Sequence, residues 1–254
     1  MPWEIAERAI RFYAEKGIGE VIPSTMGEPL LYSHFEKLES LVHELGIRLN
    51  LTTNGTFPGK GAEAWAKELL PISKDIKISC WGMKKRILEK LCPGMDGNRF
   101  RENVSSFVRM RQKILNYSEV PLSKISLQMA VCKTNRDDVE RVVEWAAELG
   151  IDRVKLNRAV FLSGSESLRN AEQISPEDFW DYPDLKMPVE FGGTFLQSPR
   201  KKEVCPFLGR ELWILPDGSE ELCPDPENRF VGIPPGKSRC EICHLFPQNS
   251  LRRG

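Results

Sequence analysis

Apolar residues recur along the first 160 positions in two alternating patterns. One repeats every three or four residues, which is typical of a helix with one buried face, and the other is a short apolar run, which is typical of a strand. The helical pattern covers residues 2–16, 33–45, 61–70, 98–115 and 135–149. The short runs cover residues 20–24, 47–51, 75–79, 125–131 and 151–156. Because the two kinds of element alternate, the sequence predicts an α/β fold with a parallel sheet.

Turn and capping residues mark the ends of these elements. Gly17, Gly46 and Gly150 each end a helical pattern and precede an isoleucine, as expected where a helix leads directly into a strand. Ser33-x-x-Glu36 is a capping box, and Asn135-x-x-Asp138 is a second predicted cap. The order begins with a helix, whereas a parallel α/β fold normally begins with a strand. We therefore expect that a first strand is missing.

Polar breaks follow all five predicted strands, at the edge of the sheet where ligand-binding groups gather. They are Gly27-Glu28-Pro29, Thr53-Asn54-Gly55, Ser79, the Cys132–Asn135 loop and Asn157. Pro29 restricts Glu28 to extended conformations, and Gly27 allows close approach of the backbone to a ligand. A carboxylate in this setting suits an ammonium group. Turn chemistry explains any one break, but five on one edge predict a ligand site.

Composition excludes several classes of function. The 254 residues include 36 basic and 36 acidic side chains, so no overall charge attracts nucleic acid or membranes. No apolar run is long enough to span a bilayer, and the charged, amphipathic start is not a secretory signal. We expect a cytoplasmic protein without a nucleic-acid or membrane partner. The alternating basic residues Arg109, Arg111 and Lys113 are predicted to form a solvated helix face.

The last hundred residues differ from the first part. Residues 161–200 lose the alternation and are predicted to be an irregular linker or closing segment. Leu212–Leu215, the turn Pro216-Asp-Gly218 and Ser219–Leu222 predict a β-hairpin. The predicted organisation is a barrel-like domain over residues 1–160, the linker over 161–200, and a small cysteine-rich hairpin domain over 201–254.

Seven cysteines are distributed unevenly. Three are scattered and are predicted to be small buried hydrophobic residues: Cys80, Cys92 and Cys132. Four crowd the C-terminal part and predict one metal site: Cys205, Cys223, Cys240 and Cys243. Four sulfur ligands suit a tetrahedral zinc ion or a [4Fe–4S] cluster, and the spacing does not separate the two. Four unrelated buried cysteines are the less favoured explanation.

Together these motifs resemble those of the radical S-adenosylmethionine (SAM) superfamily over nearly the whole chain. Met26-Gly-Glu-Pro-Leu-Leu31 resembles its GGEP motif, with Met26 in place of the first glycine. Thr52-Thr-Asn-Gly55 resembles its TNG motif, and Lys77–Gly82 lies where a fourth-strand motif occurs. Cys205-x12-Gly218-x4-Cys223 followed by Cys240-x2-Cys243 is similar to the opening of a SPASM domain, or to the shorter twitch domain.

The resemblance implies a partial (β/α)6 TIM-like barrel without its first strand. It implies that Gly27, Glu28 and the adjoining Pro29 bind the methionyl amino group of SAM, and that Ser79 binds the ribose. Four further residues are implied at the same rim: Thr53, Asn54, Gln128 and Asn157. The four C-terminal cysteines would ligate one auxiliary [4Fe–4S] cluster, with zinc as the alternative. The implied reaction is reductive cleavage of SAM to a 5′-deoxyadenosyl radical, which abstracts hydrogen from a substrate.

One departure from the family is decisive for activity. The Cys-x3-Cys-x2-Cys loop that holds the radical-generating [4Fe–4S] cluster is not in this sequence. Its expected place precedes the first helix, where the missing strand is also expected. We therefore expect that the chain is an N-terminally truncated piece of an enzyme and that it is inactive alone. We expect the radical-generating cluster only in a protein that also contains the Cys-x3-Cys-x2-Cys motif. A complete enzyme would need an external flavodoxin- or ferredoxin-like electron donor.

Two other functions remain open. A non-catalytic binding module with a structural four-cysteine zinc or iron–sulfur site explains the absent motif. An unrelated (β/α)8 phosphate-binding enzyme explains the alternation but neither the cysteines nor Gly27-Glu28-Pro29. No motif identifies the substrate, which is a small molecule or a peptide.

Overall fold

The computed structural model describes residues 1–23, 27–117, 121–159, 166–174, 187–191, 211–222 and 235–236. Within these residues, six parallel strands form one sheet, and their order in the sheet follows their order in the sequence. They are β1 Glu20–Val21, β2 Arg48–Thr53, β3 Ser73–Cys80, β4 Lys124–Val131, β5 Arg153–Arg158 and β6 Val189–Phe191. A six-stranded parallel sheet in sequential order is consistent with a partial TIM-like barrel.

Helices connect the strands, as predicted. They are α1 Trp3–Ala14, α2 Phe35–Leu45, α3 Ala62–Ile72, α4 Lys85–Leu91, α5 Gly97–Leu115, α6 Val139–Leu149 and α7 Glu166–Glu172. All five predicted helices and all five predicted strands are confirmed, with small shifts in their bounds. The sequence analysis missed α4, α7 and β6, which have seven, seven and three residues and are too short to show a clear period.

The two faces of the sheet differ in polarity. The outer face packs against the helices and contributes fully buried residues to the core: Leu49, Leu51, Ile76, Ile78, Ile125, Leu127, Met129, Val154 and Leu156. The alternate positions form what we call the inner face, which is polar and half-buried: Asn50, Thr52, Lys77, Ser79, Gln128, Arg153, Lys155 and Asn157. Because the helices cover the outer face, a ligand of this sheet is expected on the inner face or at the rim.

The helix ends confirm the predicted stops but not the predicted caps. Gly46 and Gly150 end α2 and α6 with φ of 65° and 73°, a left-handed conformation that glycine adopts without strain. The capping box at Ser33 is wrong, because His34 occupies the N-cap position of α2 and makes no side-chain capping bond. The side chains of Asn135 and Asp138 also cap no helix and bind elsewhere.

The predicted hairpin is present. Strands β7 Trp213–Ile214 and β8 Glu220–Glu221 pair antiparallel around a turn, in which the Leu215 amide donates to the Ser219 carbonyl at 2.9 Å. The Tyr13 hydroxyl of α1 donates to Glu220 at 2.6 Å, which joins the hairpin to the first helix. The four cysteines predicted to bind a metal, Cys205, Cys223, Cys240 and Cys243, lie outside the described residues.

Two predictions about single residues need correction. Cys80 and Cys132 are buried as predicted, whereas Cys92 is only half-buried. Arg111 is 6% exposed and does not belong to a solvated face. Its guanidinium pairs with Asp152 and donates to the Gly150 carbonyl at 2.6 Å, so it connects α5 to the end of α6.

None of the helices that the structure describes combines the length and the apolar character needed to cross a membrane.

Candidate ligand site at the carboxyl ends of the strands

Glu28 links the ends of the first two strands. Its Oε1 accepts hydrogen bonds from the Thr53 hydroxyl at 2.9 Å and the Leu30 amide at 3.2 Å. Its Oε2 accepts a hydrogen bond from the backbone amide of Asn54 at 2.7 Å. A carboxylate has about four acceptor positions, so roughly one remains open, on Oε2. Glu28 therefore has a structural role and also an acceptor position for a ligand.

The residues on either side of Glu28 hold its backbone. Gly27 has a φ of +93°, which strongly favours glycine, although a Cβ there would meet open space. Pro29 is buried and begins a short 3-10 turn over Pro29–Leu31, for which Glu28 is the N-cap. The extended backbone of Glu28, with φ −101° and ψ 113°, agrees with the restriction that Pro29 imposes.

The loop after β2 completes this part of the rim. Thr53 is 1% exposed, and its hydroxyl is occupied by Glu28 and by the Gly55 amide at 3.3 Å. Its contribution is therefore to orient Glu28. Asn54 accepts bonds from the Thr56 amide and hydroxyl at 2.9 and 2.6 Å, which forms a tight turn. Gly55 has a φ of +76°, and a Cβ there would lie 2.8 Å from the Phe100 ring.

The remaining predicted site residues lie along the inner face. Ser79 near the end of β3 is directly opposite Gln128 of β4 in the sheet register. Asn157 of β5 is opposite Ala130, one inner-face position further toward the rim than Gln128. The structure thus brings together Glu28, Thr53 and Asn54 as one bonded cluster, and Ser79 and Gln128 as neighbours.

The sequence analysis missed the residues that hold the loop after β3. Asp138 is fully buried and accepts bonds from the backbone amides of Met83 and Lys84, at 2.5 and 3.0 Å. Gly82 has a φ of +141°, and a Cβ there would lie 2.8 Å from Asp138 Oδ2, so only glycine suits this position. The sequence predicts Asp138 as a helix cap, because no local pattern distinguishes a capping carboxylate from one that binds the backbone of another loop.

Asn135 makes the second connection between these loops. It is fully buried, donates to the Trp81 carbonyl at 3.1 Å and to the Ala130 carbonyl at 3.0 Å, and accepts from the Cys132 amide at 2.8 Å. Together with Asp138 it sets the position of the chain that follows Ser79. The rim on this side is therefore preorganised by the loop after β4.

Charged side chains occupy the inner face below the rim. Arg153 pairs with Asp75 and Glu190, both at 2.5 Å, and its Nε donates to the Ser126 hydroxyl at 3.0 Å. Lys155 pairs with Glu190 at 3.1 Å. Burial lowers the pKa of Lys77, and Lys155 and Arg153 lower it further, while Asp75 and Glu20 oppose the change.

A cavity of about 950 Å³ opens beside Glu28. Its walls are Gly27 to Pro29 at the rim, the strand β1, apolar side chains of α1 and the 211–216 segment. Ligand pockets have volumes of about 300–1,000 Å³, so this space is large enough for a nucleoside-sized molecule. Glu28 therefore borders a space that can hold a ligand.

The three described cysteines do not fit an iron–sulfur cluster. Burial raises the pKa of the Cys80 thiol to about 12 and raises that of Cys132, so their ligating thiolate forms are disfavoured. The residues that the structure describes contain no group of three His, Cys, Asp or Glu side chains that could hold a metal ion.

Solved structures of similar fold include SuiB from Streptococcus suis bound to S-adenosylmethionine, with a TM-score of 0.56 and 20% identity. The match covers 76% of this chain and 43% of SuiB. SuiB bound to the precursor peptide SuiA matches with a TM-score of 0.58 and 17% identity, over 76% of this chain and 42% of SuiB. Native anSMEcpe with bound AdoMet and Cp18Cys peptide matches with a TM-score of 0.52 and 22% identity, over 70% of this chain and 49% of that protein. These neighbours are radical SAM enzymes. The chain shares its fold with these neighbours.

The chain spans less than half of the length of these neighbours. No protein-family model matches it, and no curated protein matches it by sequence. At identities of 17–22% the likeness concerns the fold.

Proposed function

We propose that this chain binds S-adenosylmethionine at the rim formed by Glu28 and the loop after β2, as part of a radical SAM enzyme. Gly27 and Glu28 receive the methionyl amino group, with Pro29 holding their backbone. Ser79 receives the ribose, and Asn54, Gln128 and Asn157 line the same rim. Thr53 orients the Glu28 carboxylate.

The observation that carries this proposal is the state of the Glu28 carboxylate. Three of its acceptor positions are used by Thr53, Asn54 and Leu30, which lock its direction, one remains open, and Glu28 lines the cavity. An ammonium group that binds there makes a charge-assisted hydrogen bond to a carboxylate that needs no reorganisation. Structural neighbours of the same fold are recorded with SAM or AdoMet bound, which supports this choice of ligand.

Glu28→Gln is expected to weaken SAM binding by roughly 10- to 100-fold, because it removes a hydrogen bond to a charged group. Isothermal titration calorimetry of the full chain measures this change. A second titration uses 5′-methylthioadenosine, which keeps the nucleoside and the sulfur of SAM but has no methionyl amino group. Its affinity should be the same for the wild type and Glu28→Gln.

Glu89→Gln is the matched control, because Glu89 lies on α4 with its side chain 62% exposed. It should leave both affinities unchanged. If Glu28→Gln weakened both ligands equally, Glu28 would only hold the loop and the assigned contact would be wrong. A wild-type chain that binds neither ligand would overturn the proposal.

Radical chemistry is proposed only for a protein that also contains the Cys-x3-Cys-x2-Cys motif. In such an enzyme the cluster would supply the electron that cleaves SAM, and a flavodoxin- or ferredoxin-like donor would reduce it. Cys80, Cys92 and Cys132 do not fit that cluster, so we derive no radical step from this chain and expect it to be inactive alone. The chain's own residues bind and orient SAM and a small-molecule or peptide substrate.

For the C-terminal part we propose one auxiliary [4Fe–4S] cluster ligated by Cys205, Cys223, Cys240 and Cys243. The second candidate function is a binding module without radical chemistry, in which the same four cysteines hold structural zinc. The motivation for this second function is that the sequence does not contain the Cys-x3-Cys-x2-Cys motif.

Anaerobic purification followed by iron, sulfide and zinc analysis separates the two. The auxiliary cluster predicts about four iron and four sulfide per chain and their loss in Cys240→Ser and Cys243→Ser. The control, Cys92→Ser, changes a half-buried cysteine outside this group and should retain the full content. Zinc without iron would instead support the binding module, and retention of either metal in the Cys240→Ser, Cys243→Ser double variant would contradict the ligand assignment.

A further inference from the structure

Lys77, Arg153 and Lys155 form a cationic group in the middle of the inner face. They come from β3 and β5, with Ser126 and Gln128 of β4 between them in the sheet register. Two of the three are neutralised, because Arg153 pairs with Asp75 and Glu190 and Lys155 pairs with Glu190. Within the part of the chain that the structure describes, these three cations therefore face two carboxylates, and one positive charge is in excess.

The excess charge is located at Lys77. Its ammonium donates to the side-chain oxygen of Asn50, a neutral acceptor. Among the described residues no carboxylate lies within ion-pairing distance of Lys77, and Glu20 of β1, two strands away from β3 in the sheet, is paired with Lys74. The side chain is half-buried, so water solvates the charge only in part. A partly desolvated cation without a counter-ion is costly, and an anion would offset that cost.

The position of Lys77 relates it to the proposed SAM site. Lys77 precedes Ser79 by two residues on β3, so both side chains project from the inner face, about 7 Å apart along the strand. Ser79 lies at the level of the rim, and Lys77 lies one inner-face position deeper. A molecule that reaches down the inner face from the rim meets Lys77 before Asp75, and Arg153 lies at the level of Lys77 in the sheet register.

We propose that the inner face binds the substrate through an anionic group, a carboxylate or a phosphate, whose oxygens contact the Lys77 ammonium. This inference rests on the proposed function, because it places the substrate next to the SAM site. The positive charges of Arg153 and Lys155 favour the same anion at longer range. The Asn50 side chain keeps the ammonium on the inner face when the anion is absent.

The test is a titration of the full chain, labelled with 13C at the lysine ε-carbons, followed by NMR at constant ionic strength. The Lys77 signal is assigned by its loss in Lys77→Met. The probes are inorganic phosphate and glutarate, so the titration also distinguishes the two sources of anion. We expect the chemical shift of the Lys77 signal to change saturably with probe concentration. Calorimetry should show that the wild type binds one of the two probes at least tenfold more tightly than Lys77→Met does. The pKa of Lys77 should rise when the probe is bound.

Lys77→Met keeps the aliphatic stem and removes a charge that has no carboxylate partner among the described residues, so it should fold with unchanged or higher stability. A second variant serves as the control. Lys124→Met removes an exposed lysine at the start of β4 and should leave probe binding unchanged. If the chemical shift of Lys77 changed only linearly with probe concentration, like that of Lys124, the inference would be overturned.

A SAM titration keeps the two proposals separable. Lys77→Met should bind SAM like the wild type, because Lys77 lies below the SAM contacts. Loss of SAM binding in Lys77→Met would refute a separate anion position. Absence of SAM binding in the wild type, together with a saturable phosphate or glutarate shift at Lys77, would refute the proposed function and leave the anion position supported.

Discussion

Replacing Asp138 by alanine is expected to lower the free energy of unfolding by about 3 kcal/mol, because two hydrogen bonds to a buried charged acceptor are lost. The carboxylate accepts from the amides of Met83 and Lys84 and also lies 3.5 Å from the Lys84 ammonium. Alanine leaves these donors without their partner in the loop after β3. Urea denaturation followed by circular dichroism measures the change.

Asp137→Ala is a closely matched control, since Asp137 is the adjacent residue and is exposed. It should change stability by less than about 0.5 kcal/mol, as is usual for surface substitutions. Asp138→Asn is a further comparison, because its amide keeps one acceptor oxygen and should recover part of the loss. If Asp138→Ala were as stable as Asp137→Ala, the proposed connection between the two loops would be wrong.

Replacing Arg111 by alanine is expected to destabilise the protein by about 3 kcal/mol, near the lower end of the range for breaking a buried ion pair. Arg111 is buried on α5, pairs with Asp152 and donates to the Gly150 carbonyl. The lower end applies because Asp152 is 38% exposed and still accepts from the Ile125 amide at 2.7 Å. The remaining carboxylate is thus solvated and bonded in part.

The matched control is Arg109→Ala, which removes an exposed arginine of the same helix that donates to the Ser106 hydroxyl at 3.0 Å, one turn earlier. It should change stability by less than about 0.5 kcal/mol. Denaturation of Arg111→Ala, Asp152→Ala and the double variant gives the coupling energy, which is expected to be about 1–3 kcal/mol. A coupling energy near zero would show that Arg111 acts through packing alone.

The fold was largely predictable from the sequence, because the spacing of apolar residues is a local property of each element. Five helices and five strands follow from this spacing, and Gly46 and Gly150 end their helices as predicted. The sequence also located the rim, since polar residues after buried strands meet at one edge of a parallel sheet. The short strand β6 was missed, because three residues carry no period and only pairing with β5 defines it.

The roles of individual polar residues depended on the tertiary structure. The sequence pattern predicts the same solvated position for Arg109 and Arg111. Only the approach of the loop at Gly150 to α5 buries Arg111, whereas Arg109 stays exposed. Aspartate is a common residue at helix N-caps, but the backbone amides that Asp138 binds, those of Met83 and Lys84, lie more than fifty positions earlier in the sequence.

The sequence by itself determined most of the helices and strands and that Glu28 lies in the loop after the first strand. Only the tertiary structure decided that Thr53 and Asn54 fix the Glu28 carboxylate and that Lys77 lacks a carboxylate partner among the described residues. The physical reason is that periodicity depends on neighbours a few residues apart. Burial and pairing depend on atoms that meet across strands and loops, and the sequence does not specify those distances locally.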